Sequence, residues 1–358
     1  MHGGRIHLWD ATSVKKEKTL LGHASLFNRD ERTINALAIS PDGQILASGS
    51  EDKTVQLWDT QTYKLLSRLK GHSGWVTSLA FSKDGKLLAS GDADKTIKLW
   101  DVESKKLTET IIGHNNSINA LAFVPEGTHQ YSGCLASGSA DGTIRFWNPD
   151  TGEEITIFAT GHTEWVKALA FSENDTTLAS AVFNGTVELW SLQTMQELTT
   201  FTMGLSDAAD SVKLSPNAKY FVCRGNTGMI AFNSLGYGMR SSYRMDDKYK
   251  IWEIASGNEL QIPIQQRGAF NPTHLSFSPN DDIIAVYNNP EISLLHINTG
   301  TELYQLKPRH RLHWHSARLA FSHDGKNSLH LIAMTDHKFG MSLHRKKLLP
   351  LVLMIQRY

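Results

Sequence analysis

The stretch from Gly71 to Asp101, GHSGWVTSLAFSKDGKLLASGDADKTIKLWD, decides the fold of this 358-residue chain. It contains histidine, serine, aspartate and tryptophan, residue types that occur both in active sites and inside β-sheets. An active site is normally built once, whereas a structural unit recurs along the chain. The number of copies therefore distinguishes a catalytic interpretation from a structural one.

The stretch occurs in several copies, each opening with a Gly-His pair and closing on tryptophan. Trp58, Trp100, Trp147 and Trp190 follow one another at intervals of 42, 47 and 43 residues. The longer interval before Trp147 contains additional residues between strands, around EGTHQYSG, and a further addition, ASLFNRDER, follows the first Gly-His pair. A period of this size, interrupted only between strands, predicts a repeat protein.

Within one copy the apolar residues alternate with a period of two, which is typical of β-strands. The predicted strands are residues 76–81, 87–91, 96–100 and 107–111, separated by turns at KDG and DADK. Short strands joined by such turns predict an all-β protein built from meanders.

The spaced Gly-His and Trp-Asp pairs resemble the WD-repeat (WD40) family of β-propellers. The resemblance is strong from Gly3 to Ser191 and weaker afterwards. It implies four-stranded antiparallel blades, each holding an internal tetrad in which histidine, serine, aspartate and tryptophan hydrogen-bond to one another. The matching tetrads are His23, Ser48, Asp52 and Trp58; His72, Ser90, Asp94 and Trp100; His114, Ser137, Asp141 and Trp147; and His162, Ser180, Asn184 and Trp190.

These tetrads are interpreted as structural, because a buried indole, imidazole and carboxylate each need a partner. A Ser-His-Asp catalytic triad uses the same residue types, but several copies and a serine bonded to tryptophan speak against it. Asn184 replaces the aspartate in the fourth copy and loses its charge. We expect that blade to be weaker by about 1 kcal/mol.

Later repeats depart further from the pattern. Trp252 follows Trp190 by 62 residues, which predicts an insertion at about residues 224–245, and Leu295 takes the tryptophan position 43 residues later. Third strands then number seven, beginning with the one that contains Trp9.

The two ends of the chain predict how the ring closes. The N-terminal GGRIHLWD supplies a third strand, whereas the C-terminal SARLAFSHDGKNSLHLIAM supplies only a first and a second. The fold prediction is therefore a seven-bladed β-propeller closed by pairing N- and C-terminal strands in one blade, which removes exposed sheet edges. The predicted domain covers residues 1–337, and residues 338–358 form a tail without a place in the ring.

Composition limits the possible partners and compartments. Charged residues make up 20% of the chain and the formal net charge is +0, so we predict no direct nucleic-acid footprint. The N-terminus lacks the apolar core of a signal peptide, and no apolar stretch reaches transmembrane length. Cys134 and Cys223 are predicted to be buried, reduced thiols. These features predict a soluble, cytoplasmic protein without membrane contact.

No cofactor and no metal site are predicted. Phosphate-binding glycine loops, nucleophile elbows and kinase signatures do not occur. His310, His313 and His315 have a spacing that could ligate a metal, but no cysteine or carboxylate nearby completes a site. We interpret them as solvated loop residues.

The predicted function is a non-catalytic scaffold that binds other proteins or peptides. The alternative is an enzyme, either a propeller-type hydrolase or a regulatory fragment of a larger signalling enzyme. The resemblance implies that the residues after Gly-His and before the turn aspartate share one face of the ring. The predicted partner-binding residues on it are Ser73, Trp75, Ser117, Thr163, Trp165, Glu51 and Phe183, with Asn115, Ala93 and Ala140 at equivalent positions.

Trp75, Trp165 and Phe183 are the predicted anchors, because the repeat does not require apolar residues there. They are expected to form one patch on neighbouring blades, unless each ring packs only on its own loop. Arg29, Asp30 and Arg32 are predicted to provide a polar rim.

Overall fold

The computed structural model describes a chain made of strands and turns. The described residues are 5–10, 15–23, 33–127, 129–158, 161–172, 177–202, 207–215, 217–227, 246–260, 275–278, 280–288, 291–306, 316–321 and 329–334. They form 28 β-strands, arranged in seven four-stranded antiparallel sheets.

The sheets are named in chain order, each with its strands from first to fourth. Sheet 1 contains β3 (Ile34–Ile39), β4 (Ile45–Ser50), β5 (Thr54–Asp59) and β6 (Leu65–Lys70). Sheet 2 contains β7 (Val76–Phe81), β8 (Leu87–Asp92), β9 (Thr96–Asp101) and β10 (Lys106–Ile112). Sheet 3 contains β11 (Ile118–Phe123), β12 (Leu135–Ser139), β13 (Ile144–Trp147) and β14 (Glu154–Phe158). Sheet 4 contains β15 (Val166–Phe171), β16 (Thr177–Val182), β17 (Thr186–Ser191) and β18 (Glu197–Thr202).

The remaining strands form three more sheets. Sheet 5 contains β19 (Asp207–Leu214), β20 (Tyr220–Thr227), β21 (Asp246–Glu253) and β22 (Glu259–Leu260). Sheet 6 contains β23 (Leu275–Phe277), β24 (Ile283–Asn288), β25 (Glu291–His296) and β26 (Glu302–Leu306). The terminal sheet combines both ends of the chain, in the order β2 (Lys15–Leu21), β1 (Arg5–Asp10), β28 (Leu329–Met334) and β27 (Ser316–Phe321).

Sheets 1 to 6 are meanders, in which each strand pairs with its neighbours in the chain. In sheets 1 to 4 the turn between the second and third strands requires left-handed backbone at one position, where Gly142 and Gly185 have φ angles of 82° and 86°. Lys53 and Lys95 take the same position in sheets 1 and 2, with φ angles of 67° and 76°. Glycine adopts this conformation without a steric penalty, so the Asp-Gly and Asn-Gly pairs fit the turn best.

Apolar side chains hold successive sheets face to face. Val76, the first residue of sheet 2, packs with Val55 and Leu57 of sheet 1, and equivalent clusters join the following pairs up to sheets 5 and 6. Ile6 and Leu20 of the terminal sheet pack against Ile34 of sheet 1. The terminal sheet also contacts sheet 6 through β27 and β23.

The predicted insertion begins too early in the sequence. Residues 224–227 continue β20 instead of leaving the sheet, because they pair with β19 on one side and β21 on the other. Asp246 pairs with Thr227 at the end of this longer ladder. Residues 228–245 and the predicted tail, residues 338–358, lie outside the described part of the chain.

Candidate functional site

A hydrogen-bonded network crosses the interior of sheet 1. His23 Nδ1 lies 3.0 Å from Asp52 Oδ2, and His23 Nε2 lies 2.8 Å from Ser48 Oγ. Trp58 Nε1 donates to the same Ser48 Oγ at 3.1 Å. Because an ionised carboxylate only accepts, a neutral His23 carries its proton on Nδ1 and accepts from Ser48 at Nε2. The network therefore gives every buried polar group in it a partner.

In sheets 1 and 3 the glycine of the Gly-His pair makes room for the tryptophan of the network. A Cβ atom on Gly22 would come within 2.4 Å of the Trp58 ring, and one on Gly113 within 2.7 Å of the Trp147 ring. Both distances are shorter than any ordinary contact between carbon atoms. In these two sheets packing therefore requires the glycine, and hydrogen bonding requires the histidine that follows it.

Sheet 3 contains the same network. His114 Nδ1 lies 2.9 Å from Asp141 Oδ2, and Ser137 Oγ lies 2.7 Å from both His114 Nε2 and Trp147 Nε1. Burial lowers the pKa of His114, which keeps the imidazole neutral. Burial raises the pKa of Asp141, but hydrogen bonds, chiefly from Thr143 and the Asn115 backbone, outweigh it and hold the pKa well below its ordinary value.

In sheet 2 the predicted aspartate is the wrong one. His72 Nδ1 bonds to Asp92 Oδ2 at 2.9 Å, whereas Asp94 is exposed at the surface of the turn. Asp92 also accepts from the Thr96 backbone N–H at 2.9 Å, the role that Asp52 and Asp141 have in their sheets. The carboxylate has moved from the turn to the end of β8, where it is fully buried.

Sheet 4 has a different partner for its histidine. His162 Nε2 lies 3.1 Å from Ser180 Oγ, but its Nδ1 lies 3.4 Å from Glu188 Oε1 on β17. Asn184, predicted to complete the tetrad, accepts instead from the Thr186 backbone N–H at 3.0 Å. A short amide at the turn supports the turn, while the longer glutamate on the adjacent strand approaches the imidazole.

The Glu188 and His162 pair is poorly solvated. Burial raises the pKa of Glu188 to about 7, with a smaller contribution from the Glu197 carboxylate, and burial lowers the pKa of His162 to about 4. Glu188 Oε2 is buried without a hydrogen-bond partner among the described residues. Near neutral pH the histidine is therefore uncharged and the glutamate carries only part of its charge.

Glu188→Gln is expected to stabilise the protein at about pH 8.5 by about 1–2 kcal/mol, because it removes a buried charge that the folded state holds poorly. At about pH 5 the folded wild type already holds the Glu188 proton, so the gain should disappear. Melting midpoints of both proteins across this pH range measure the difference.

Acidification provides a second readout of the same change. Between pH 6.5 and about 4 the unfolded state protonates His162 and the folded state does not, so this group destabilises the fold as the pH falls. Glu188 acts in the opposite sense between about pH 7 and 4.5. The variant should therefore lose stability on acidification more steeply than wild type. A pH-independent difference, or the same profile in the exposed control Glu103→Gln, would contradict the assignment.

The networks have the chemical order of a catalytic triad but not its accessibility. Ser48, Ser90, Ser137 and Ser180 have no exposed surface. Each serine accepts a hydrogen bond from a tryptophan indole and is bonded to its histidine, as in sheet 1. A serine nucleophile must reach a substrate carbonyl, and these hydroxyls cannot.

The predicted partner-binding residues lie at one end of the strands of sheets 1 to 4. A backbone hydrogen bond joins the residue before the first strand to the residue near the end of the second, as in Phe183 N to Trp165 O at 3.0 Å. We call these eight residues the loop edge; its pairs are Thr33 and Glu51, Trp75 and Ala93, Ser117 and Ala140, and Trp165 and Phe183. Ser73, Thr163 and Asn115 lie in the loops beside it and are exposed.

Three aromatic side chains on the loop edge are exposed to about half of their surface. Trp75 is 51% exposed, Trp165 48% and Phe183 44%. Trp165 and Phe183 contact each other in sheet 4, with ring centroids 5.4 Å apart. Trp75 lies in sheet 2, so sheet 3 separates it from that pair. The expected patch on neighbouring blades is therefore a pair and a single residue, because the intervening position is the small Ser117.

Lys167 is a loop-edge neighbour that the sequence interpretation missed. It occupies a β-bulge in the first strand of sheet 4, between Val166 and Ala168. The equivalent bulges hold Asn35, Thr77 and Asn119, whose side chains donate to the backbone of the next sheet. Lys167 Nζ lies instead 5.9 Å from the Trp165 ring centroid and 6.0 Å from that of Phe183. The sequence could have indicated this difference, because Lys167 is charged whereas the aligned residues Asn35, Thr77 and Asn119 are not.

Several predicted features fall outside the described residues, namely Arg29, Asp30 and Arg32 of the rim and the three C-terminal histidines. Within the described part of the chain, no group of three or more metal-ligating side chains comes together. Both cysteines are free and buried. The same residues include no helix whose length and apolar character would allow it to cross a bilayer.

The family model of the IFT122 first beta-propeller matches residues 1–266 of the chain. Shorter matches occur to curated WD-repeat proteins. Nuclear distribution protein nudF 1 of Talaromyces marneffei is 35% identical over 72 residues, which are 20% of this chain and 14% of that protein. Small ribosomal subunit protein RACK1y of Oryza sativa subsp. japonica is 38% identical over 64 residues, which are 18% of this chain and 17% of that protein.

A third similar protein is WD repeat and SOCS box-containing protein 1 of Homo sapiens, 34% identical over 80 residues, or 22% of this chain and 17% of that protein. The chain thus matches less than a fifth of the length of each of these three relatives. Segments of this length hold about two repeats. The three relatives share the repeat with this chain, but a shared repeat does not assign the function of any of them to this chain.

Proposed function

The chain belongs to the IFT122 first beta-propeller family of WD-repeat proteins, and from this membership we propose that it is a non-catalytic scaffold that docks protein partners on its loop edge. WD-repeat propellers typically act as protein-interaction scaffolds. The observation that carries the proposal is the exposure of Trp75, Trp165 and Phe183 on that edge. Half-exposed aromatic rings at positions that the sheet does not need are typical of interface anchors.

A non-catalytic role fits the internal networks. Their histidines and serines are buried and bonded to one another, so no described tetrad offers an accessible nucleophile. The enzyme alternative therefore has no observation in its favour among the described residues. Absence of turnover on generic ester and phosphate substrates is the expected outcome of a direct assay.

We also propose that the seven sheets are blades of one closed ring. The pairing of β1 with β28 supports this, since it joins the two ends of the chain within one sheet. Apolar packing of the terminal sheet against sheet 1, and its contact with sheet 6, support it as well. The cytoplasmic location predicted from the sequence stays a prediction.

Affinity capture from a native lysate tests the docking edge. We expect Trp75→Ala and Trp165→Ala each to lose partners that the wild type retains, because each removes a large side chain from the interface. Leu107→Ala is the matched control, since Leu107 is 44% exposed but lies on the outer strand β10. An unchanged set of captured proteins in both tryptophan variants would place the docking surface elsewhere on the molecule.

A further inference from the structure

We propose that the end of sheet 4 anchors an acidic partner segment, in which an apolar side chain packs on Trp165 and Phe183 while an adjacent carboxylate pairs with Lys167. This inference rests on the proposed docking function and specifies its partner. The three residues are defined here as the sheet 4 anchor. They come from the start of β15 and from the turn that follows β16, and the Phe183 N–H to Trp165 carbonyl bond of 3.0 Å fixes their spacing.

The two rings form a small apolar platform. Their centroids are 5.4 Å apart with planes inclined at 44°, and about half of each side chain faces solvent. The equivalent pairs in sheets 1 to 3 are Thr33 with Glu51, Trp75 with Ala93, and Ser117 with Ala140. Sheet 4 therefore presents the one described loop-edge pair with two aromatic members, and covering both rings would remove more apolar surface from water than at any other pair.

The lysine gives the platform a charge preference. Its ammonium lies about equally far from both ring centroids, at 5.9 and 6.0 Å, within the range of a cation–π interaction. No ion pair joins it to a described carboxylate, including the half-buried Glu164 that precedes Trp165. A partner carboxylate next to an apolar residue would meet an available cation, whereas a basic segment would be repelled from it.

Comparison with the equivalent β-bulges of sheets 1 and 3 shows that the Lys167 charge is not needed to hold the sheets together. Asn35 and Asn119 donate from the equivalent bulges to the carbonyls of Val76 and Val166, at 3.2 and 2.9 Å. Such bonds hold one sheet to the next. The Lys167 ammonium lies instead near the rings of Trp165 and Phe183 in its own sheet, so it does not hold sheet 4 to the next sheet.

The test uses a random-peptide library displayed on phage, selected in parallel on the full wild-type chain, Lys167→Gln, Lys167→Glu and Lys86→Gln. Lys86 is the matched control, because it is exposed at the opposite end of sheet 2. Wild type and Lys86→Gln should enrich peptides with an acidic residue beside an aromatic or aliphatic one. Lys167→Gln should lose the acidic preference, and Lys167→Glu should enrich basic residues in its place.

A synthetic peptide from the wild-type selection then gives the affinity. We expect binding to weaken about fivefold in Lys167→Gln, the effect of one partly exposed ion pair, and to weaken with added salt in wild type. Enrichment of peptides without acidic residues, equal selection by wild type and Lys167→Gln, or no enrichment at all would overturn the inference. If Trp165→Ala loses captured proteins while Lys167→Gln keeps them, the docking function stands and its acidic partner does not.

Discussion

Deleting residues 1–21 is expected to lower the melting midpoint by about 10 °C or more and to make the protein aggregate. The deletion removes β1 and β2, and with them the buried side chains of Ile6 and Leu20 that pack against Ile34. Each buried aliphatic side chain contributes about 1.5–3 kcal/mol. The deletion also removes Ile6 to Trp9, the residues of β1 that pair with β28, and so exposes an edge of that strand.

A peptide comprising residues 1–21 provides the control for this deletion. Added to the truncated chain, it should restore solubility by supplying the missing strands in trans, since main-chain hydrogen bonds do not require a continuous chain. A peptide of the same composition in scrambled order should not. A truncated protein that stays soluble with an unchanged midpoint would show that β1 and β28 do not close the fold.

Asp92→Ala is expected to destabilise the protein by about 2–4 kcal/mol, whereas Asp94→Ala should change its stability by less than about 0.5 kcal/mol. Asp92 is fully buried and accepts from His72 Nδ1, the Thr96 backbone and the Thr96 hydroxyl. Its removal leaves all three donors unpaired. Asp94 is exposed in the turn that directly follows β8, so the two substitutions are matched in residue type and lie close together.

The pH dependence of this pair gives a further check. Burial raises the pKa of Asp92, but the hydrogen bonds from His72 and Thr96 outweigh it, so its pKa lies below the ordinary value. Its contribution is therefore complete above about pH 4 and declines as the pH falls through the lowered pKa. The difference in melting midpoint between wild type and Asp92→Ala should shrink in acid. Equal loss of stability in Asp92→Ala and Asp94→Ala would contradict the network drawn for sheet 2.

Much of the fold could be predicted from the sequence because the same strand and network positions recur in several copies of the repeat. Alternating residues define the strands, the Gly-His and Trp positions locate the networks, and GGRIHLWD identifies the N-terminal strand as the third of a repeat. The structure forms strands at all four ranges predicted for sheet 2, with their ends extended by one residue in β8, β9 and at both ends of β10.

The errors occurred where two residues compete for one role or where a side chain reaches across strands. DADK offers two aspartates two positions apart, and only burial selects Asp92 over Asp94. Glu188 approaches His162 from β17, a relation that spacing in the sequence does not reveal. The sequence places Lys167 in a regular strand and does not reveal the β-bulge that it occupies. Each of these depends on local geometry that the repeat pattern leaves open.

The comparison of Trp100→Phe with Trp165→Ala tests most directly whether the networks maintain the fold while the loop edge binds partners. Both proteins are measured for melting midpoint and for captured partners. Trp100→Phe removes the indole N–H that donates to Ser90 at 2.8 Å, so it should lower the midpoint by several degrees and retain the partners. Trp165→Ala should keep the midpoint and lose partners. A Trp165→Ala protein that keeps every partner, or a Trp100→Phe protein that loses activity or binding at unchanged stability, would contradict this account.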